Sequence, residues 1–268
     1  MAIEVSILIV NWNGRALLPD CLASLPAGAM GLSYQVIVVD NASQDESVAW
    51  LASAAPEVKL IRNAANLGFA RANNQALRVA QGAYALLLNN DARLRPGTLR
   101  YLHEFMEAHP AVGAVSPRLV TPQSEPQAYA FGQDPTPAYL LRRGLWRWLA
   151  HRPLHDWGIS RAQRVDWVAG TCLLVRRAAW ESVGLLDEGF FMYFEDNDWC
   201  LRMRRAGWEV WYVPEVEVEH LGGQSVQRNP RAQAAYEQSL RYFYRKHYGP
   251  LARLALAVML PVYRRLRP

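Results

Sequence analysis

The sequence predicts an α/β protein built on an open sheet, and three observations carry that prediction. Four short hydrophobic runs, residues 5–12, 35–39, 59–61 and 84–88, have the composition of buried parallel strands. Helix-length patterns separate them. Polar residues end three of them, and in an open α/β sheet ligands bind at the carboxyl ends of the strands.

Each element follows from local chemistry. The first strand runs into Asn11, Trp12, Asn13 and Gly14, and a helix is expected around residues 16–24. The second ends in Asp40, Asn41, Ala42 and Ser43, where Ser43-Gln44-Asp45-Glu46 reads as a capping box opening the next helix. A helix over about residues 70–80 is ended by Gly82, and the strand 84–88 is followed by Asn89, Asn90 and Asp91. Another helix is expected over residues 96–109. Six prolines between residues 116 and 164, with a basic aromatic stretch at 142–152, predict an irregular excursion. Regular structure resumes at 165–175, with a short helix at 178–183, a helix from Glu195 and a strand at 209–213. Residues 1–240 read as a single domain and 241–268 as a basic amphipathic helical tail.

Charge and composition exclude several function classes. The 29 basic and 24 acidic residues give a net charge of +5, but residues 241–268 hold seven basic residues and no acid. The basicity belongs to the tail, so nucleic-acid binding by the body is not expected. The longest nearly uncharged apolar stretch, residues 254–263, is about half the length a membrane-crossing helix needs. The N-terminal run has neither a basic leader nor a small-residue cleavage site, so a cytoplasmic protein is expected. Cys21, Cys172 and Cys200 are odd in number and far apart, which fits reduced thiols and suggests neither disulfides nor a zinc site.

The strand ends hold the candidate chemistry. No glycine-rich dinucleotide loop or P-loop is present, which disfavours dehydrogenases and P-loop NTPases. Asp40 has the chemistry to accept an N–H from a flat base, and equally to cap a turn. Asp91 is a candidate ligand for magnesium or manganese, or a turn residue. Glu195, Asp196 and Asp198 open a helix, where the dipole favours carboxylates. One of them is a candidate general base, while pairing with Arg202, Arg204 or Arg205 is the alternative reading. Trp199, Trp208 and Trp211 suit burial.

Taken together, Val5-Ser6-Ile7-Leu8-Ile9-Val10-Asn11-Trp12-Asn13-Gly14, Val38-Val39-Asp40-Asn41-Ala42-Ser43, Asn66-Leu67-Gly68-Phe69-Ala70-Arg71-Ala72-Asn73-Asn74 and Leu86-Leu87-Leu88-Asn89-Asn90-Asp91 resemble the nucleotide-sugar half of family 2 glycosyltransferases. Trp167-Val168-Ala169-Gly170-Thr171, the run from Gly184 to Trp199 and His220-Leu221-Gly222-Gly223-Gln224-Ser225 resemble its second half, bacterial rhamnosyltransferases most of all. The resemblance implies a GT-A fold, a Rossmann-like open mixed sheet flanked by helices, with Mn2+ or Mg2+ and an inverting reaction. It implies a nucleoside-diphosphate sugar donor, dTDP-rhamnose first and a UDP-sugar as the alternative, and a cell-surface glycan or lipid-linked acceptor. The donor would lie along Asn11, Asn13, Asp40, Asn66, Gly68, Asn73 and Asn90. Asp91 and His220 would serve the metal, Asp196 would be the general base, and Trp167 and Glu195 would meet substrate. For His220 an ordinary structural histidine is the alternative, and for Trp167 core packing. Asn89 and Asn90 depart from the strict DXD pattern, which leaves a weak metal site.

The basic tail, with the arginines and tryptophans of 142–148, has the composition of a segment lying on an anionic membrane at the inner face of the cell membrane. A helix folded back on the domain is the alternative. Two other functions fit less well. A nucleotidyltransferase lacks its early glycine-rich loop here, and a catalytically silent nucleotide-sugar-binding scaffold would have little use for Asp91, Asp196 and His220.

Overall fold

A computed structural model of the chain describes residues 2–151, 154–222 and 230–266. A mixed sheet has the strand order β3-β2-β1-β4-β10-β6-β11-β5, with β8 (Gln163–Arg164) paired to β11. Four parallel strands form one side: β1 (Val5–Asn11), β2 (Tyr34–Asp40), β3 (Lys59–Arg62) and β4 (Tyr84–Asn89). Ile7, Leu8 and Ile9 of β1 are all buried, so both faces of the sheet are covered there, as a parallel sheet requires. Helices α1 (Leu18–Ala29), α2 (Ser47–Ala54), α3 (Phe69–Val79) and α4 (Thr98–Ala108) accompany these strands and the short β5 (Ala92–Leu94).

The direction changes at β10 (Cys172–Arg176), which runs antiparallel to both β4 and β6 (Val112–Val120). β11 (Glu209–His220) lies parallel to β6 and antiparallel to β5. A separate ribbon pairs β7 (Phe131–Gly132) with β9 (Trp167–Val168). The irregular excursion expected from residue 116 is therefore shorter than its prolines suggest. Pro117 sits inside β6 opposite Val213, next to a register shift between Val213 and Glu217, where its missing N–H costs the ladder little. The stretch at 142–152 is also more regular than expected, because α5 (Pro137–Ala150) spans most of it. β11 continues past residue 213 and ends at His220.

Helix α2 starts at Ser47 and not at Ser43. The Ser43 hydroxyl is already used, accepting from the Asn13 N–H (2.9 Å) and the Asn11 amide (3.2 Å). Asp45 serves the helix start by accepting from Ser47 N (3.0 Å).

After α6 (Arg177–Val183) and α7 (Glu195–Arg205), two helices close the chain, α8 (Pro230–His247) and α9 (Pro250–Leu266). The division expected at residue 240 falls inside α8. Leu240, Phe243 and Tyr244 of α8 and Leu256 and Leu260 of α9 join Phe190, Phe194 and Leu201 in a second core. The segment is thus a pair of helices folded on the domain, with one apolar face buried. The other apolar face, Leu251, Leu254 and Val258, is exposed. Among the described residues no helix is long and apolar enough to cross a membrane.

Candidate active site

The carboxyl ends of β1, β2 and β4 are tied together by side chains. Asn11 and Asp40 are register partners, and the Asn11 amide donates to Asp40 Oδ1 (3.0 Å). Asn90 donates to Asn11 Oδ1 (2.8 Å). Asp40 accepts Ser43 N on its other oxygen (3.0 Å) and is 2% exposed, so it braces the floor while each oxygen keeps a further lone pair. Gly14 is required beside this triangle, since a Cβ there would come within 2.2 Å of Asn11 Oδ1 and Asn90 Nδ2. Asn13, at φ 51°, accepts Gln44 N (2.7 Å) on its side-chain oxygen.

A second network positions the segment before α3. Asn41 uses its amide fully, donating to Asn66 Oδ1 (3.0 Å) and Gly68 O (3.2 Å) and accepting from Asn63 and Leu67 N (both 3.0 Å). Gly68 has φ 86°, and Phe69 N donates to Phe191 O (2.8 Å), which joins this turn to the loop before the acidic helix. Gly68→Ala would set a Cβ at 2.4 Å from the Phe191 carbonyl in a backbone region reserved for glycine. We expect it to destabilise the protein by about 2 kcal/mol or more, read as a lower unfolding midpoint. Asn73 is buried and donates to Phe69 O (3.0 Å) within its own helix.

At the end of β11, His220 Nε2 lies 3.2 Å from Asp91 Oδ1. His220 Nδ1 is 2.7 Å from Gln127 Oε1, and an amide oxygen only accepts, so Nδ1 carries the proton. Nε2 is thereby turned toward Asp91, and it is the ring nitrogen that would be open to a cation. One carboxylate and one imidazole, with the Asn89 and Asn90 amides nearby, suit a weak divalent site that needs substrate oxygens to complete it. Among the described residues no group of three His, Cys, Asp or Glu side chains could hold a metal alone. Gly223, Gln224 and Ser225 of the expected motif lie outside the described residues.

Backbone pairing brings the acidic helix to the same edge. Asn89 N donates to Thr171 O (2.9 Å), and the adjacent Gly170 N donates to Asp196 Oδ2 (3.0 Å). Asp91 and Asp196, 105 residues apart, therefore share one strand-end region. Burial raises the Asp196 pKa above its ordinary value, against the lowering effect of the Gly170 and Asn197 N–H groups. The Asn197 amide satisfies both its neighbours when its nitrogen faces Asp196 Oδ1 and its oxygen faces Trp167 Nε1, each at 3.1 Å. Trp167 is half-buried and also donates to Gln133 O (2.9 Å), which places it beside the candidate base.

Glu195 is 5% exposed, and its Oε2 has no hydrogen-bond partner. Burial first, and then Asp196, hold its carboxyl well above the ordinary range. Asp198 follows the structural alternative, pairing with Arg202 (2.8 Å). Arg204 holds Asp134 through both carboxylate oxygens (2.7 and 2.6 Å) and lies 3.4 Å from Asp166. Trp199 is buried, and Trp208 and Trp211 pack against the main core.

Sequence reasoning missed Gln127, Asn41 and Asn197. Asn41 stood in a quoted motif and had a signal; Gln127, in an irregular segment 93 residues from His220, had none.

Comparisons with known proteins place the chain in a family. The family model for glycosyl transferase family 2 matches residues 6–171. The chain is 31% identical over 258 residues to the N-acetylglucosaminyl-diphospho-decaprenol L-rhamnosyltransferase of Mycobacterium tuberculosis, covering 89% of this chain and 82% of that one. Its fold resembles that of GalNAc-T7 crystallised with UDP, GalNAc and Mn2+ (TM-score 0.63, 17% identity, 95% of this chain and 53% of that chain). It also resembles S. aureus TarS 1–349 in complex with UDP (TM-score 0.59, 15% identity, 80% and 59%). With a GT-A fold, the family match and a relative similar over most of its length, the chain belongs to glycosyl transferase family 2 and is a glycosyltransferase.

Proposed function

We propose that the protein transfers L-rhamnose from dTDP-rhamnose, with inversion, to a hydroxyl of an N-acetylglucosaminyl-diphospho-lipid. The observation that carries this reading is the sharing of one sheet edge by the Asp91–His220 pair and Asp196, in a chain similar over 89% of its length to an enzyme of that name. Asn11, Asn13, Asp40, Asn66 and Asn90 form the wall for the donor nucleotide, and Trp167 offers an aromatic face to sugar. Asp196 takes the proton of the acceptor hydroxyl as its oxygen bonds to the anomeric carbon, while the bond from that carbon to the diphosphate breaks. Asp91 and His220 would hold a divalent cation, Mn2+ better than Mg2+ because of the imidazole, and the cation would supply charge neutralisation at the diphosphate.

The first test is calorimetric titration of dTDP, UDP and GDP with Mn2+, with Mg2+ and with chelator, followed by a transfer assay with the preferred donor. Preference for dTDP supports the rhamnosyl reading. Preference for UDP moves the donor to a UDP-hexose, and no binding leaves the silent scaffold. Gln127→Leu removes the acceptor that orients His220 and is expected to weaken Mn2+ binding in the presence of dTDP about tenfold, by the same calorimetry.

We propose also that the exposed stripes Leu141, Leu145, Leu149 of α5 and Leu251, Leu254, Val258 of α9 rest on an anionic membrane. The two helices pack against each other, and their spacings of three and four residues line each stripe along one helix face. Sedimentation with anionic but not neutral vesicles is the expected result.

A further inference from the structure

Backbone strain is concentrated immediately before the candidate base. Among the described residues Tyr193 and Phe194 are the only consecutive non-glycine pair with positive φ, at 68° and 67°. The left-handed region sets Cβ against the following carbonyl, and an aromatic residue has neither the freedom of glycine nor the local hydrogen bonds that ease Asn or Asp into it. Phe194 is also the N-cap of α7, where Ser, Thr, Asp or Asn would hold the first amides, and it makes no side-chain cap bond. Its carbonyl accepts from Asp198 N (2.8 Å), so the conformation of this turn decides where α7 begins and where Asp196 stands.

Strain of this kind persists only where the surroundings over-determine it. The local sequence does not, so the support is tertiary, and α8 supplies much of it. Ser239, itself 4% exposed, donates from Oγ to Met192 O (2.8 Å). Three residues before it and four after it on the same helix face, Tyr236 and Phe243 pack on the Phe194 ring, with centroids 5.2 and 5.8 Å away. One face of α8 thus presents a hydroxyl to the carbonyl before the strained pair and two rings to the side chain at its end. A second contact of α8 lies upstream of the turn, where the Tyr242 hydroxyl donates to Asp187 (3.1 Å).

We propose that Ser239 is a positioning residue for Asp196: by holding the Met192 carbonyl it keeps the Tyr193–Phe194 turn left-handed and so fixes the start of α7 at which the base stands. This assignment rests on the reading of Asp196 as the base. Without the hydroxyl, the peptide after Met192 loses its tether and the turn relaxes toward ordinary backbone. Phe194 O then moves, and Asp196 is drawn away from the Gly170 N–H that it meets at 3.0 Å. A shift of about 1 Å in a reacting group costs up to about 100-fold in rate.

The test compares Ser239→Ala with Tyr242→Phe, each of which deletes one hydroxyl that α8 gives to the same loop. The single-turnover rate is measured with saturating dTDP-rhamnose and N-acetylglucosaminyl-diphospho-polyprenol, at a temperature where unfolding curves show every variant folded. Ser239→Ala is expected to lower the rate about tenfold and to leave donor KM within about twofold. Tyr242→Phe is expected to stay near the unaltered rate, because its bond lies upstream of the strained pair. A normal rate for Ser239→Ala overturns the proposal. An equal fall in both variants also overturns it, since α8 would then support the domain as a whole, and so does a rise in donor KM as large as the fall in rate. Asp196→Asn, measured alongside, separates the two readings. If it transferred sugar normally, the base reading would fall and the positioning role with it. If it lost transfer while Ser239→Ala kept it, the base would stand and only the positioning role would fall.

Discussion

Asp196→Asn is expected to lower sugar transfer at least about 100-fold while leaving donor affinity nearly unchanged. The amide oxygen can still accept the Gly170 N–H that now reaches Asp196 Oδ2 at 3.0 Å, so the local fold survives. What is lost is the ability to take a proton. The pH profile gives an independent check with a definite sign. Only ionised Asp196 acts as a base, and burial raises its pKa above 3.8. Activity should therefore rise with pH through an acid limb placed above that value, and the residual activity of the variant should lack the limb. Near-normal turnover by Asp196→Asn, measured with saturating donor, would remove Asp196 from the role of base.

The second large effect is on stability. Asp198 is fully buried and meets two cations, Arg202 (2.8 Å) and Lys246 (2.7 Å), together with the His247 imidazole (2.6 Å). Lys246 also reaches Asp187 (2.5 Å), and Tyr242 donates to the same carboxylate (3.1 Å). The end of α8 is in this way fastened to the acidic helix two residues beyond Asp196, and to the loop that leads into it. His247, Lys246 and Arg202 outweigh burial and hold the Asp198 carboxyl down at about 2.

For a group depressed in this way, stability is fully present above the unfolded pKa and declines as pH falls through the folded one. The contribution should hold above pH 3.8 and disappear toward pH 2, a loss of about 2 kcal/mol. Asp198→Asn leaves Arg202 and Lys246 facing an amide and is expected to cost about 3 kcal/mol, a fall in Tm of roughly 6 °C. The variant should also show a flatter stability curve between pH 4 and pH 2 in urea titrations. An unchanged curve would assign the acid sensitivity to other carboxylates.

The parallel half of the fold was legible because its strands are buried on both faces, and continuous apolar runs are the signature of that burial. Asn11, Asp40 and Asp91 were found for a related reason: a polar residue ending an apolar strand falls at the carboxyl edge wherever the strand pairs. The excursion after residue 116 was misjudged, since Pro117 is a breaker only where its N–H is needed, and the bulge opposite it removes that need. Whether the tail is a strap or a membrane segment also lay beyond the sequence. Its pattern announces apolar faces without saying what covers them. The fold covers Phe243, Tyr244, Leu256 and Leu260 with protein and leaves Leu251, Leu254 and Val258 exposed.

The sequence by itself determined the sheet-forming runs and which polar residues stand at their ends, through side-chain periodicity and burial that act over a few residues. Only the tertiary structure decided that Gln127 orients His220, that Asp198 takes Lys246 and His247 as partners, and that α5 lies against α9. Those contacts join residues 93, 48 and 49 positions apart in the first two cases. A polar side chain carries no local mark of its distant partner, because its pairing is set by how the chain crosses the sheet and by the demand that each buried charge be compensated.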